Sequence, residues 1–298
     1  MRSNEPFVHR FQAMTVPCEI QLFTPTKLSV PVGSIVDDII FNTRRLESRY
    51  NFYSDSSWLS QKVNQRNSSV VILDDESLVI FQHLETLATL SDDVFDTTVG
   101  SVKALLQREP KLSHREAFQR LKWAMGKQSW TLEENRLIIE HPETKFDLGG
   151  VIKEYAVDQA VAIAKSYGIT SMLVNFGGDI FALGKKPDGA PYNVAVLNPK
   201  QSTEPYFALP VEDAALTTSA HYQRRFQFAD KNTSHILSAT ETEKKILSVT
   251  VVAKTVLEAG ALSTSLTVKP ALTIPENVAA IFIDDQLTIH QDTEFLLR

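Results

Sequence analysis

The chain has 298 residues, 43% of them hydrophobic and 22% charged, with a net charge of −6 and a pI near 5.7. That length is enough for one large domain or two lobes around a real core. The acidic balance argues against a nucleic-acid binder, because no Lys/Arg stripe runs along the sequence and the densest basic cluster is the pair Arg224-Arg225.

The one cysteine, Cys18, excludes an intrachain disulfide and a multi-cysteine zinc site. It alternates with Ile20 and Leu22, the pattern of a small buried hydrophobe rather than a nucleophile. The opening MRSNEPFVHRF has no apolar core of a signal peptide and no lipobox, and nowhere do 18 apolar residues run together. As it stands the sequence reads as cytoplasmic, without a membrane span.

Alternation predicts a strand over residues 11–23. After a turn marked by Pro25, Pro31 and Gly33, helical spacing over Ile35 to Tyr50 puts Ile35, Ile39, Ile40 and Leu46 on one face. The polar run from Asn51 to Ser69 reads as a loop in which Tyr53 and Trp58 have no core periodicity. A second helix spans Glu76 to Leu90, followed by VFDTTVGSV, where Gly100 permits a turn that Val or Thr would not. Residues 113–125 form a third amphipathic helix, and Leu132 to Glu140 a strand.

The most rule-bound stretch is Lys145 to Asp179. A strand-like entry reaches Asp147, Gly149-Gly150 opens a helix over 151–167 that is apolar on several sides, and Gly168 closes it. A second apolar run then ends in Gly177-Gly178. Glycine pairs at both ends of one strand–helix–strand unit expose backbone N–H groups where a phosphate can sit. Beyond it, strands are predicted near 192–198, 206–211, 223–228, 246–252 and 279–289, with one helix from Val256 to Thr267. Helix-rich then strand-rich order with one crossover gives an α+β, or mixed α/β, fold.

Four features offer chemistry: Asp147 beside a helix start, where it can also be a cap; Lys153 within reach of a phosphate; the Asn175–Asp179 strand end; and Thr217-Thr218-Ser219 with Ser234-His235-Ile236. No GxGxxG opens the first glycine pair and no GxxxxGK[ST], GxSxG, HExxH or paired CxxC is present. The residues by themselves reach a mixed α/β protein that binds a phosphorylated ligand.

Taken together, these segments resemble the ApbE family of FAD:protein FMN transferases, over nearly the whole chain. Ala13-Met14 followed by Pro17-Cys18-Glu19-Ile20 is similar to the family's first strand. Tyr53 and the run Ser57 to Asn64 resemble its Tyr and SxLSxLN segment, one residue longer here. Phe95 to Gly100 resembles FDPTVG; Asp147 to Asp158 resembles DLGGIAKGYAVD; Asn175 to Asp179 matches N-[FL]-GGD. The resemblance implies one ApbE-like domain over 1–298, two-lobed, that cleaves FAD with Mg²⁺ and attaches FMN to a Thr or Ser of an acceptor flavoprotein. It implies flavin-nucleotide contacts from Met14, Tyr53, Thr98, Val99, Gly100, Asp147, Lys153, Asn175, Gly177, Gly178, Asp179 and Ile236. His235 would be catalytic, and Gly150, Gly260 and Thr264 would mark the metal site.

The departures fall mostly in the C-terminal half. Met14-Thr15-Val16 stands for Met-Gly-Thr, Thr218-Ser219-Ala220-His221-Tyr222 for TSGDY, and His235 to Thr240 keeps the His of HI[IL]DPxTG without its Asp, Pro and Gly. ADALST becomes Ala259-Gly260-Ala261-Leu262-Ser263-Thr264, so Gly260 replaces the expected carboxylate. Mg²⁺ ordinarily takes at least one carboxylate beside substrate phosphates, which leaves Glu258 or Asp179 to stand in. The alternative is a non-catalytic FAD-binding homologue that has lost its metal carboxylate.

Overall fold

A computed structural model of the protein describes residues 5–24, 28–220 and 246–291. In chain order the elements are β1 (Phe7–Ala13), β2 (Val16–Leu22), α1 (Val32–Arg49), β3 (Val70–Ile72), α2 (Asp75–Leu90), α3 (Gly100–Arg108), α4 (His114–Leu121), β4 (Trp130–Glu133) and β5 (Arg136–Ile139). They continue with α5 (Gly149–Ser166), β6 (Met172–Phe176), β7 (Asp179–Leu183), β8 (Tyr192–Asn198), β9 (Gln201–Val211), β10 (Ala214–Ala220), β11 (Ile246–Ala253), α6 (Val256–Val268), β12 (Ala279–Asp284) and β13 (Ile289–Gln291). The chain divides into two compact units, residues 48–150 and a larger one of residues 1–47 with 151–298.

The larger unit is built on a sheet ordered β1-β2-β6-β7-β10-β11-β12-β13 among the described residues, with antiparallel pairing throughout. Ile180, Ala182 and Leu216 point to one face, where they join Phe23 and Tyr192, Val194 and Val211 of the β8–β9 hairpin in a buried cluster. Alternation sends Asp179, Thr217 and Ser219 to the other face, where they meet α5 and α6. α6 is buried nearly all round; Ala259, Gly260, Ala261, Ser263 and Ser265 are small enough to lie close to its neighbours.

Two tight hairpins end side by side on this sheet. The β1–β2 connection is Met14-Thr15, with φ of 50° and 64°, and the β6–β7 connection is Gly177-Gly178, with φ of 64° and 98°. Two-residue hairpin loops with positive φ at both positions match the right-handed strand twist. The β2–β6 register, Cys18 opposite Phe176, brings the two turns to one end of the sheet. Gly177 fits there because a Cβ would lie 2.7 Å from Val16 Cβ.

The smaller unit holds the sheet β3-β5-β4 and a core in which Phe81, Trp130 and Phe146 meet edge to face, with centroids 5.2–5.8 Å apart. α2 starts where Asp74 caps the Ser77 amide at 3.0 Å, and α4 starts at a Ser113/Glu116 capping box. The Ser57–Asn64 segment is not a plain loop: Leu59–Asn64 is a π-helical turn, with the Gln65 amide donating to Ser60 O at 2.7 Å. A widened turn absorbs an extra residue without shifting the chain beyond it. The turn ends at Asn64, whose side-chain amide donates to Phe146 O (2.9 Å) and accepts from Phe146 N (2.8 Å). The side chain thereby fixes the backbone immediately before Asp147.

Several sequence expectations change. The strand over 11–23 is the hairpin β1–β2, because a Met-Thr turn carries none of the Gly, Asn or Pro signals that mark one. Leu132 to Glu140 belongs to the hairpin β4–β5, turning at Glu134 (φ 52°), and 279–289 divides into β12 and β13. α3 and β10 form where no element is predicted. The run into Asp147 makes only an isolated bridge, Val99 with Lys145. The strand predicted at 223–228 lies outside the described residues.

Thr15 is β-branched in the left-handed region, which costs about 1–2 kcal/mol. Thr15→Gly is expected to stabilise the protein by about 0.5–1 kcal/mol in urea unfolding, after the extra unfolded-state entropy of glycine is subtracted; a loss of stability would show that the Thr15 side chain contributes something the turn geometry does not. Asn64→Ala leaves a buried N–H and C=O of Phe146 unpaired and is expected to cost about 2–4 kcal/mol, read as a fall in the urea midpoint. An unchanged midpoint would mean that the pair can be replaced by water.

Candidate functional site

In the smaller unit the expected residues gather around Asp147. Its Oδ1 accepts from the Gly149 amide at 3.0 Å, so it caps the start of α5. Its Oδ2 pairs with Lys103 Nζ, a lysine on α3 that no sequence motif singles out. α3 approaches this segment through Gly100, where a Cβ would lie 2.7 Å from Lys145 O and 2.8 Å from Asp147 N. Only a residue without a side chain allows that backbone contact. Thr98 is fully buried; its hydroxyl donates to Asp96 Oδ1 at 2.5 Å and accepts from the Gly126 amide at 2.7 Å, so it holds the turn. Burial pushes the Asp96 carboxyl up, against the lowering effect of the Thr98 and Gly126 hydrogen bonds. Val99 and Tyr53 are exposed, Tyr53 to 66%. Gly149 and Gly150 are exposed, and nothing lies within 4 Å of where a Gly150 Cβ would stand.

Lys145, just upstream, donates to Asn64 O, and burial, then the nearby Arg66, pull its ammonium down. Arg66 donates to Thr144 O at 2.9 Å and to His141 O. Burial brings its guanidinium to about 10.

In the larger unit the residues lie at the sheet end that carries the two hairpin turns. The Met14 amide donates to Glu47 Oε1 at 2.6 Å. Asn175 Oδ1 accepts from the Gly178 amide at 2.8 Å, which shapes the second turn. Asp179, at the turn's exit, is buried and pairs with Lys153 Nζ at 2.5 Å. Across the strand from Asp179 is Thr217, buried, its hydroxyl without a hydrogen-bond partner among the described residues. Two residues on, Ser219 Oγ lies 2.9 Å from Ser263 Oγ and 3.4 Å from Thr264 Oγ1. Cys18 is buried, and burial pushes its thiol up to about 11, so it is no nucleophile.

Asp158 ties α5 to α6. Its two oxygens accept from the Val256 and Leu257 amides at 2.9 and 3.2 Å, at the positive end of α6. Burial nonetheless pushes its carboxyl up to about 6, with Asp179 adding to the rise and the two amides opposing it. Glu154 stands one helical turn earlier, 5% exposed. Its carboxylate lies against Gly260, in the place where a side chain on α6 would begin. The carboxylate at this point is thus neither Glu258 nor Asp179. Position 154, glutamate where the motif DLGGIAKGYAVD has glycine, is the sequence signal for it.

His235 and Ile236, with His221 and Tyr222, lie outside the described residues. Among the described residues no group of three or more His, Cys, Asp or Glu forms a metal cluster. The oxygens on this side of the sheet are the buried carboxylates of Glu154, against Gly260, and Asp179, paired with Lys153, and the hydroxyls of Thr217, Ser219, Ser263 and Thr264; hard donors of this kind suit Mg²⁺ better than a soft metal. No described helix is long and apolar enough to cross a membrane.

An antiparallel sheet that ends in two tight turns, one of them a glycine pair, backed by the helices α5 and α6 and accompanied in the chain by a smaller unit of helices and antiparallel strands, defines an α+β protein that presents polar side chains at one sheet end. The ApbE family model matches residues 14–282, and the chain belongs to the ApbE family. An FAD:protein FMN transferase of Chlamydia pneumoniae is 30% identical, over 74% of this chain and 72% of its own. The enzyme of that name from Vibrio cholerae is 27% identical, over 72% of this chain and 67% of its own. In fold, the ApbE protein of Thermotoga maritima superposes with a TM-score of 0.83 at 24% identity, covering 98% of this chain and 99% of that one.

Asp158 yields a pH signature. Its native carboxyl, near 6, lies above the ordinary value of 3.8, so the native state holds the proton more tightly than the unfolded chain. The resulting stability is fully present below pH 3.8 and is lost as pH rises through 6. Wild type is therefore expected to gain stability relative to Asp158→Asn as pH falls from 7 to 4, in melting experiments at matched salt. A difference that stays flat over this range would place the carboxyl at its ordinary value.

Proposed function

We propose that this chain is an FAD:protein FMN transferase, which splits FAD and attaches its FMN half to a Thr or Ser hydroxyl of an acceptor flavoprotein. The single observation that carries this reading is the family match across residues 14–282. The retained Asp147, Lys153 and Asn175–Asp179, each in a defined polar role, accord with it.

In the reaction the acceptor oxygen bonds to the FMN-side phosphorus, the P–O bond to the bridging oxygen breaks, and AMP leaves with that oxygen. The hydroxyl proton passes to a base, His235 in this reading. Chemistry of this kind depends mainly on positioning and charge neutralisation. Lys153, its ammonium held by the buried Asp179, supplies a fixed positive charge. The amides in the first turn of α5 face an anion favourably, and Asp147 keeps that end ordered. Met14 and Tyr53 are the proposed flavin contacts. Mg²⁺, when bound, would neutralise charge on the pyrophosphate oxygens, with the Thr264 hydroxyl as a neutral donor.

A binding-only reading is favoured by one feature, the absence of a carboxylate from α6 at Gly260. Incubation with FAD and Mg²⁺, with and without an acceptor peptide bearing an accessible Thr, separates the two. The transferase releases AMP only with metal and leaves FMN covalently on the peptide; FAD recovered intact throughout would leave a binding protein. Lys153→Met is expected to slow AMP release roughly a hundredfold, and an unaffected rate would remove Lys153 from the proposed machinery.

A further inference from the structure

Glu154 and position 260 compete for one volume. A Cβ built on Gly260 would lie 2.1 Å from Glu154 Oε1, 2.2 Å from its Cδ and 2.6 Å from Oε2. Any side chain at 260 would have to displace a carboxylate that is itself only 5% exposed. Gly260 is thus glycine because a carboxylate carried by the other helix fills its side-chain space.

The surroundings suit a hard cation. Ser263 and Thr264 follow Gly260 by three and four residues, so they share its face of α6, and Ser263 Oγ donates to Gly260 O at 3.1 Å. Ser219 reaches both hydroxyls from β10. Thr217, on the same face of β10, carries a buried hydroxyl with no hydrogen-bond partner among the described residues. Asp179, across the strand from Thr217, is already paired with Lys153, so Glu154 is the carboxylate left to join the neutral hydroxyls, a set that matches a small divalent cation whose remaining charge is met by substrate phosphates. Two departures of the sequence then become one. In the motif strings, glycine stands at the position of Glu154 and aspartate at that of Gly260; here the carboxylate is on α5 and the glycine on α6.

We infer that the Glu154 carboxylate is the acidic ligand for the divalent cation of this site, moved from one helix to the other with its charge retained. The inference rests on the flavin-transferase reading for the presence of the cation, but not for the geometry.

The test is Mn²⁺ binding, followed by the electron paramagnetic resonance of free Mn²⁺, with and without FAD. Wild type is expected to bind Mn²⁺. Glu154→Gln, which keeps shape and removes charge, is expected to weaken binding by more than about tenfold. Glu154→Gly is expected to weaken it likewise, and the double variant Glu154→Gly/Gly260→Asp to recover it to within a few-fold. Glu154→Gln decides the matter alone should the double variant fail to fold, with circular-dichroism melting as the check on both. Mn²⁺ affinity unchanged in Glu154→Gln, or no Mn²⁺ binding by wild type in either condition, overturns the inference. FAD retention without metal, measured in parallel, judges the flavin reading separately. Wild type that retains FAD while Glu154→Gln binds Mn²⁺ normally removes the ligand role and leaves the flavin reading in place; wild type that retains no FAD removes the latter.

Discussion

The polar end of the larger unit depends on how α5 and α6 are held together. Asp158 accepts from the first two amides of α6, and one turn earlier Glu154 lies directly on Gly260. These contacts fix where α6 presents Ser263 and Thr264 to Ser219 of β10. The cost is a carboxyl kept away from water. At Asp158 the helix-end amides offset part of it, yet the proton is still held more tightly than in water. Burying such a group is tolerable only where hydrogen bonds or a compensating charge meet it.

The sheet supplies the second constraint. Because β2 pairs with β6 and β6 with β7, two hairpin turns that are far apart in sequence finish at the same end of the sheet. One uses glycines, whose positive φ is free of steric cost; the other uses Met14 and Thr15, for which it is not. Asp179 comes directly after the glycine turn, so its position and that of Lys153 are set by a tight, well-determined connection. In the smaller unit the same logic runs through Asn64 and Gly100. One clamps the backbone before Asp147 with two hydrogen bonds, and the other lets α3 come within backbone contact of it.

Much of this architecture is legible in the residues alone. The helices α1, α2, α5 and α6 follow from apolar spacing, because a buried stripe at a period of 3.6 residues has few other solutions. Asp147 as a cap, Gly168 as a helix terminator at φ 82° and Cys18 as a buried hydrophobe follow from local chemistry. The hairpin at Met14-Thr15 is not legible, since it lacks turn residues and alternation runs through it undisturbed. Nor is α3, whose nine residues are a weak periodic signal and whose start at Gly100 is set by contact with Lys145 and Phe146. The π-helical turn Leu59–Asn64 appears in sequence only as one surplus residue.

The amino-acid sequence determined the α+β class, the family and the positions whose chemistry is backbone-driven: glycine pairs, caps and strand ends. Each of these is a local property, written within a few residues by φ/ψ restriction and hydrogen-bond need. Only the tertiary structure decided which charges meet. Lys103 reaches Asp147 across 44 residues, Lys153 meets Asp179, and Glu154 fills the space that Gly260 leaves. Such pairings depend on where separate elements pack, and packing is set by volume and register rather than by neighbours in the chain.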